Sequence, residues 1–206
     1  MRQENGVNME YDNLAIIKEE FQKAPAKYKL VIDVGASGNY SAASLLTLNE
    51  NWQGLLFEPD PRSYNRLVET YKNNKAVIIL NKAVSNIEGK LEFLLHPEPT
   101  LSSLEANTTW YKTDTKLERI QIEVVKLGKI LAEQNIPLDF DFLKIDAEGF
   151  DYRILENLFI ESLFRPYIIM HEIQHPGPEQ FEKLLNFYGY TLVKRVYGNM
   201  IYRRAK

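Results

Sequence analysis

The sequence contains no cysteine, and that absence removes several chemistries at once. Disulfide scaffolds, thiol nucleophiles and thiolate-held zinc are all excluded. An excess of positive charge is missing too: 25 basic and 28 acidic side chains leave a formal net charge of −3. A duplex nucleic acid needs a basic face, so no nucleic-acid partner is expected. The basic residues near the C-terminus (Lys194, Arg195, Arg203, Arg204 and Lys206) read as a solvated hairpin edge and tail. No apolar run approaches the roughly 18 residues of a membrane span, and the N-terminus shows no signal-peptide core. The expectation is a soluble, cytoplasmic protein with no membrane partner. Glycine is sparse where one ligand class would need it. A nicotinamide-dinucleotide turn has the form G-x-G-x-x-G, whereas the first glycine turn of this chain offers only Gly35 and Gly38.

What is present suits one folded unit. Of 206 residues, 45% are hydrophobic and 12% aromatic, enough for a sizeable core. Residues 1–8 read as a loose polar lead, and Met9–Gln22 as a helix stopped by Pro25. Residues 1–28 thus form a lead and helix packing on a domain that spans 29–206. Within that domain apolar strands alternate with amphipathic helices. The strands are Lys29–Val34, Gly54–Phe57, Val77–Leu80, Lys90–Leu95, Ile120–Val125, Phe140–Ile145 and Tyr167–Met170. The pair Thr191–Val196 and Met200–Arg203 closes the chain as a hairpin. Helices are expected at Tyr40–Asn49, from Pro61 with Tyr64, Leu67, Val68 and Tyr71 as its apolar positions, and at Leu127–Asn135, Asp151–Leu158 and Glu179–Phe187. This alternation predicts an α/β Rossmann-like fold: a mostly parallel seven-stranded sheet with helices on both faces and a C-terminal antiparallel hairpin edge.

Ligands of such sheets bind beyond the C-terminal ends of the strands, near the reversal of strand order. The polar residues at those ends are Asp33 with Gly35 and Gly38, Glu58 with Asp60, Asn81 with Ser85, Asp146 with Glu148, and His171 with Glu172. Ionised groups are seldom buried without partners, so carboxylates at four strand ends are hard to assign to packing. Glu58 lies 20 residues beyond Gly38, the spacing of an acid that holds ribose hydroxyls. An acid two residues before the first glycine would repel a pyrophosphate but suits a sulfonium or an amino group. The charge therefore favours S-adenosylmethionine over NAD.

These residues also carry a resemblance. Val31-Ile-Asp-Val-Gly-Ala36, Phe57-Glu-Pro-Asp-Pro61, Asn81-Lys-Ala-Val-Ser85, Ser102-Ser-Leu104 and Asp141-Phe-Leu-Lys-Ile-Asp-Ala-Glu-Gly-Phe-Asp151 follow the order seen in FkbM-type methyltransferases. Phe142–Gly149 closely resembles that family's F-L-K-I-D-V-E-G signature. The resemblance implies a class I methyltransferase using S-adenosylmethionine, usually for O-methylation of hydroxyls on sugars or natural products. It also implies a small-molecule or glycan acceptor. Asp33, Gly35 and Gly38, with Ala36 and Ser37 between the glycines, would line the methionyl end. Glu58, followed by Pro59, would bind the ribose, and Asn81 to Ala83 would lie near the adenine. Asp146 and Glu148 would face the transfer site. Two departures stand out. The family pattern D-V-G-A-N-x-G has one more residue between its glycines, and Leu127-Gly128 stands where the family favours Leu-Asp.

Methyl transfer to oxygen needs an aligned acceptor and a proton-accepting group. The candidates are Asp146 and Glu148, then His171 and Glu172, with Lys144 two residues before Asp146 and placed to orient it. His171-Glu-Ile-Gln-His175 matches H-E-x-x-H, but a zinc site needs that motif on a helix, whereas a strand enters it and Pro176-Gly177 follows. No metal is expected; a magnesium site using Asp146 and Glu172 is a milder alternative. Residues 96–116 are expected to form a lid or acceptor loop, with Trp110 and Tyr111 as aromatic walls. Two other functional classes compete. One is a non-catalytic cofactor-binding module, which would need Glu58 but not Asp146 and Glu148. The other is an NAD or sugar-nucleotide oxidoreductase, which predicts a third glycine and a Tyr-x-x-x-Lys pair.

Overall fold

Apolar strands between amphipathic helices need cover on both faces, and the chain provides it around one central sheet. The computed structural model describes residues 2–37, 41–104, 117–173, 177–196 and 198–205, with the backbone alone for residues 2–11, 42, 45 and 49. The central strands are β1 (Leu30–Val34), β2 (Gln53–Phe57), β3 (Val77–Leu80), β7 (Phe142–Ile145), β8 (Ile168–Glu172), β9 (Tyr190–Val196) and β10 (Asn199–Arg204). They pair in the order β3-β2-β1-β7-β8-β10-β9. The pairs among β1, β2, β3, β7 and β8 are parallel, and β10 is antiparallel to both neighbours. The expected closing hairpin is present, but its antiparallel strand lies inside the sheet and β9 takes the edge.

Alternation along the strands divides the core. Leu30, Ile32, Val34, Leu143 and Ile145 join one cluster with Ile130 and Leu131 of α4 (Leu127–Glu133), Leu155 and Leu158 of α5 (Asp151–Glu161), and Phe181 and Leu185 of α6 (Pro178–Phe187). Val31, Phe142, Ile168 and Met170 face the other way, onto α1 (Arg2–Lys23) and α2 (Ala42–Asn49) through Leu14, Ile17, Ala43 and Leu46. On that side α3 (Pro61–Tyr71) packs Leu67 and Tyr71 on Leu56 and Ala36. The register Ile32↔Leu143 and Asp33↔Lys144 sets β1 beside β7, where the order of crossovers reverses. A ligand cleft is expected at that point.

Four expectations need correction. α1 begins at Arg2 rather than Met9, although of its residues before Met9 only Arg2, Gln3 and Glu4 are good helix formers. In α3 the buried stripe is Ser63, Leu67 and Tyr71, while Val68 is exposed. The three-residue strand β4 (Ala83–Ser85) was not expected; it pairs with β6 (Glu118–Lys126), which also pairs with β5 (Gly89–Leu95). Together these three make a second, small sheet outside the main one. Finally, residues 96–104 are tied down by a 3-10 turn at Pro99–Leu101 and by a bridge between Leu94 and Ser103. The rest of the expected lid, with Trp110 and Tyr111, lies outside the described residues.

Candidate active site

Three strand ends meet above the β1–β7 junction. After β1 the backbone reverses at Gly35, whose φ of 78° suits glycine. A Cβ there would lie 1.8 Å from the Asp146 carbonyl oxygen, so the two strand ends touch through bare backbone. The Gly35 and Ala36 amides both donate to the Phe57 carbonyl at 3.0 Å, and the Asp146 amide donates to that of Val34 at 2.9 Å. These bonds lock the ends of β1, β2 and β7 together. Next to them opens a cavity of about 840 Å³, part of it continuous with solvent.

One wall of the cavity carries Gly35, Ser37, Glu58 and Pro59. The small sheet adds Ala83, Val84 and Phe93, and the tied segment adds Leu101, Ser102 and Leu104. Asp146, Glu148 and Glu172 complete the lining. Glu58 is almost wholly buried, with one oxygen accepting the Asp60 amide at 2.7 Å. Burial pushes its carboxyl up to about 8, against the pull of that amide. Asp60 is the N-cap of α3, accepting from the Arg62 amide and, at 2.9 Å, from the Ser102 hydroxyl. Asp60 thereby anchors the tied segment over the cavity. Burial works against its charge, but the Arg62 and Ser102 bonds hold its carboxyl below the usual range.

The sequence-predicted residues divide into two groups. Gly35, Ser37, Glu58, Pro59, Ala83, Asp146, Glu148 and Glu172 all reach the cavity. Asp33 and Ala36 do not line it. Asp33 is fully buried and paired with Lys144 at 3.1 Å, while the Ser41 hydroxyl donates to its other oxygen. Burial raises the Asp33 carboxyl and the Lys144 ammonium opposes that rise. Ala36 is packed under α3. Asn81 is exposed and serves the backbone instead, its amide donating to the Glu58 and Pro59 carbonyls. Gly38 lies outside the described residues, as do Tyr40 and His175. Lys144 is buried, not a surface charge; it donates to the Gly35 carbonyl and sits 3.7 Å from Asp146.

His171 is not brought to the cavity. Its ring stacks on Phe181 at 3.9 Å in the core, and burial lowers its pKa to about 4. It stands on β8, so the first two residues of H-E-x-x-H are extended, while Gln174 and His175 lie outside the described residues. The Tyr-x-x-x-Lys spacing does occur, at Tyr71–Lys75, Tyr190–Lys194 and Tyr202–Lys206, but all three tyrosines are buried in the core. Tyr71 meets Thr47 at 2.7 Å, and Tyr190 donates to the Pro166 carbonyl at 2.6 Å.

Oxygens of Asp146, Glu148 and Glu172 lie within 4.8 Å of one another. Glu148 reaches this position with a φ of 48°, a strained value for a residue other than glycine. Sequence reasoning quoted Ser102 and Asp151 within family motifs without giving either a role, and it did not single out Phe93. Asp151 is buried, and burial together with the nearby Asp146 pushes its carboxyl up to about 7.

A family model described as the methyltransferase FkbM domain matches residues 33–194. The chain belongs to this family. Its methyltransferase domain therefore holds every cavity residue named above. No curated protein matches the chain. Among solved structures, the METTL16 methyltransferase domain is 14% identical, with a TM-score of 0.57, over 97% of this chain and 69% of that one. The N-terminal domain of human METTL16, solved in complex with SAH, is 12% identical with a TM-score of 0.55, over 96% and 71%. A precorrin-6y C5,15-methyltransferase from Geobacter metallireducens GS-15 is 11% identical with a TM-score of 0.51, over 95% and 86%. At such identities the likeness shows the fold: this is a Rossmann-like methyltransferase architecture. The family implies a methyl donor, and S-adenosylmethionine is the one the sequence leads to expect.

The residues present fit that group. Glu58 offers a buried carboxylate to ribose hydroxyls, the bare Gly35 turn leaves room for close approach, and apolar groups of Phe93, Val84 and Leu101 can flank a flat base. When bound, S-adenosylmethionine supplies an electrophilic methyl group on a cationic sulfur. Among the described residues, no helix is long and apolar enough to cross a membrane.

Proposed function

We propose that this chain is an S-adenosylmethionine-dependent O-methyltransferase that acts in the cytoplasm on a hydroxyl of a sugar, glycan or natural product. The supporting observation is the convergence of Asp146, Glu148 and Glu172 in a cavity that Glu58 also lines. In this reading Glu58 and Pro59 hold the ribose end, while Ala83 and Val84 flank the adenine. Asp146 or Glu148 takes the proton from the acceptor hydroxyl as the carbon–oxygen bond forms. Lys144, tied to Asp33 and the Gly35 carbonyl, keeps Asp146 oriented. Glu172 accepts a second hydroxyl and fixes the acceptor in line, which is where most of the rate advantage of such a displacement arises.

The test is transfer of labelled methyl from S-adenosylmethionine to a panel of sugars and polyhydroxylated aromatics, with and without a chelator. Asp146→Asn or Glu148→Gln is expected to lower turnover roughly 10²- to 10⁴-fold, as loss of a general base does. Full activity in both variants would remove these carboxylates from the chemistry and favour a purely cofactor-binding role.

A further inference from the structure

Two separate chain segments carry the clustered carboxylates of Asp146, Glu148 and Glu172, and a single buried side chain holds both. Asp146 and Glu148 sit on the turn after β7, and Glu172 ends β8. The β7–β8 register runs only as far as Ile145↔His171, one residue short of both segments. At that point Asp151, the first residue of α5, accepts the Ala147 amide on one oxygen at 2.8 Å and the Glu172 amide on the other at 3.1 Å. Ala147 is the residue between Asp146 and Glu148. The carboxylate is 1% exposed, and the N-cap of α5, Phe150, makes no side-chain cap of its own. Asp151 therefore does not serve as an ordinary cap: its two oxygens are committed to the two carboxylate-bearing segments. The turn it holds contains Glu148 at φ 48° and Gly149 at φ 98°. Strained backbone of this kind persists only where the surroundings over-determine it.

We infer that Asp151 is a positioning residue, whose carboxylate sets the spacing of Asp146, Glu148 and Glu172 by clamping the turn after β7 to the end of β8. This rests on the methyltransferase reading above and adds a residue that contacts neither donor nor acceptor. Only the ionised carboxylate meets the requirement in full, because both partners are N–H donors, so the clamp is complete above about pH 7, where the test below is run. Asparagine has the same shape but can accept from one of them and turns a second donor on the other.

The experiment compares the wild-type chain with Asp151→Asn, Asp146→Asn and the double variant, at a temperature well below unfolding. Calorimetry reads affinity for S-adenosylhomocysteine, and NMR reads amide exchange. Asp151→Asn is expected to weaken the affinity roughly tenfold, the loss of one charge-assisted hydrogen bond's worth of order. Exchange is expected to accelerate at Ala147 and Glu172 while Leu143 stays protected. In the double variant the Asp151 change is expected to add little to the loss caused by Asp146→Asn, since it acts through the same turn. Unchanged affinity with both amides still protected would overturn the inference, as would fully additive losses. Should the Asn variant fail to fold, scalar coupling across the hydrogen bonds decides in the wild-type protein: coupling from both amide nitrogens to the Asp151 carboxyl carbon supports the clamp, and absence of either overturns it. A wild-type chain that binds no S-adenosylhomocysteine would sink the cofactor reading instead, leaving the exchange and coupling data to judge the clamp.

Discussion

At Gly35 the backbone of one strand end presses on the carbonyl of another, with no room for a side chain. Gly35→Ala combines that clash with a positive φ, and is expected to cost at least about 2–3 kcal/mol in a denaturant melt. Stability within about 0.5 kcal/mol of wild type would contradict the packing described. This glycine was legible in the sequence because a short apolar strand ending in D-V-G has few other uses. Glu58 was legible through its spacing. Asp33, Ala36 and Asn81 were placed in the cofactor wall by motif alone, and none of the three lines the cavity. Asp33 shares a face with Val31 and looks away from the cavity, toward Lys144. Asp151 closes the family-like run from Asp141 but showed no role of its own, because an acid at a helix start is ordinary dipole complementarity.

The elements are held at their lower ends by one residue of the same signature. Asp141, just before β7, accepts the amides of Lys27, Tyr28 and Leu30 and thereby fixes the entry to β1. Asp141→Ala leaves three amides without that acceptor and is expected to lower the unfolding free energy by roughly 3 kcal/mol. A change below about 1 kcal/mol would show that the β1 entry is held by other means. Strands and helices with clear periodicity could be read within a few residues, as at β2, β3 and α6. β4 could not, since three residues show no period, and its partner β6 lies across an intervening strand. The existence of a second sheet depends on such non-local pairing. The anchoring of residues 96–104 was hidden likewise, because Asp60 and Ser102 lie 42 positions apart.

Across the whole molecule, three buried groups of raised or lowered pKa set opposite limits on stability. His171 is neutral when folded and charges on unfolding below its ordinary range, so stability falls as pH drops from about 6.5 toward about 4. Glu58 and Asp151 keep their protons to about 8 and about 7 in the fold, so their contribution is lost as pH rises from about 4 toward those values. Two carboxyls outweigh one imidazole, so the ligand-free chain is expected to lose stability as pH rises from about 5 to about 8, with His171→Phe steepening the fall between about 5 and 6.5; thermal melts across pH check this, and a stability that climbs from about pH 5 to 7 would refute it. The fold and the strand-end site were legible at this scale because alternation fixes a doubly wound sheet and such sheets bind at the switch point. The most direct measurement is calorimetric titration with S-adenosylhomocysteine and with NADH, in wild type and Glu58→Gln, from pH 6 to 8. Ribose hydroxyls donate to the ionised Glu58, so S-adenosylhomocysteine should bind one-to-one, releasing a proton and tightening by up to roughly tenfold per pH unit below about 8. Glu58→Gln should bind roughly 10- to 100-fold more weakly with most of that slope gone, and NADH should not bind. Binding of NADH in place of S-adenosylhomocysteine, or a Glu58→Gln profile that overlays the wild type, would contradict a methyl-donor site built on Gly35 and Glu58.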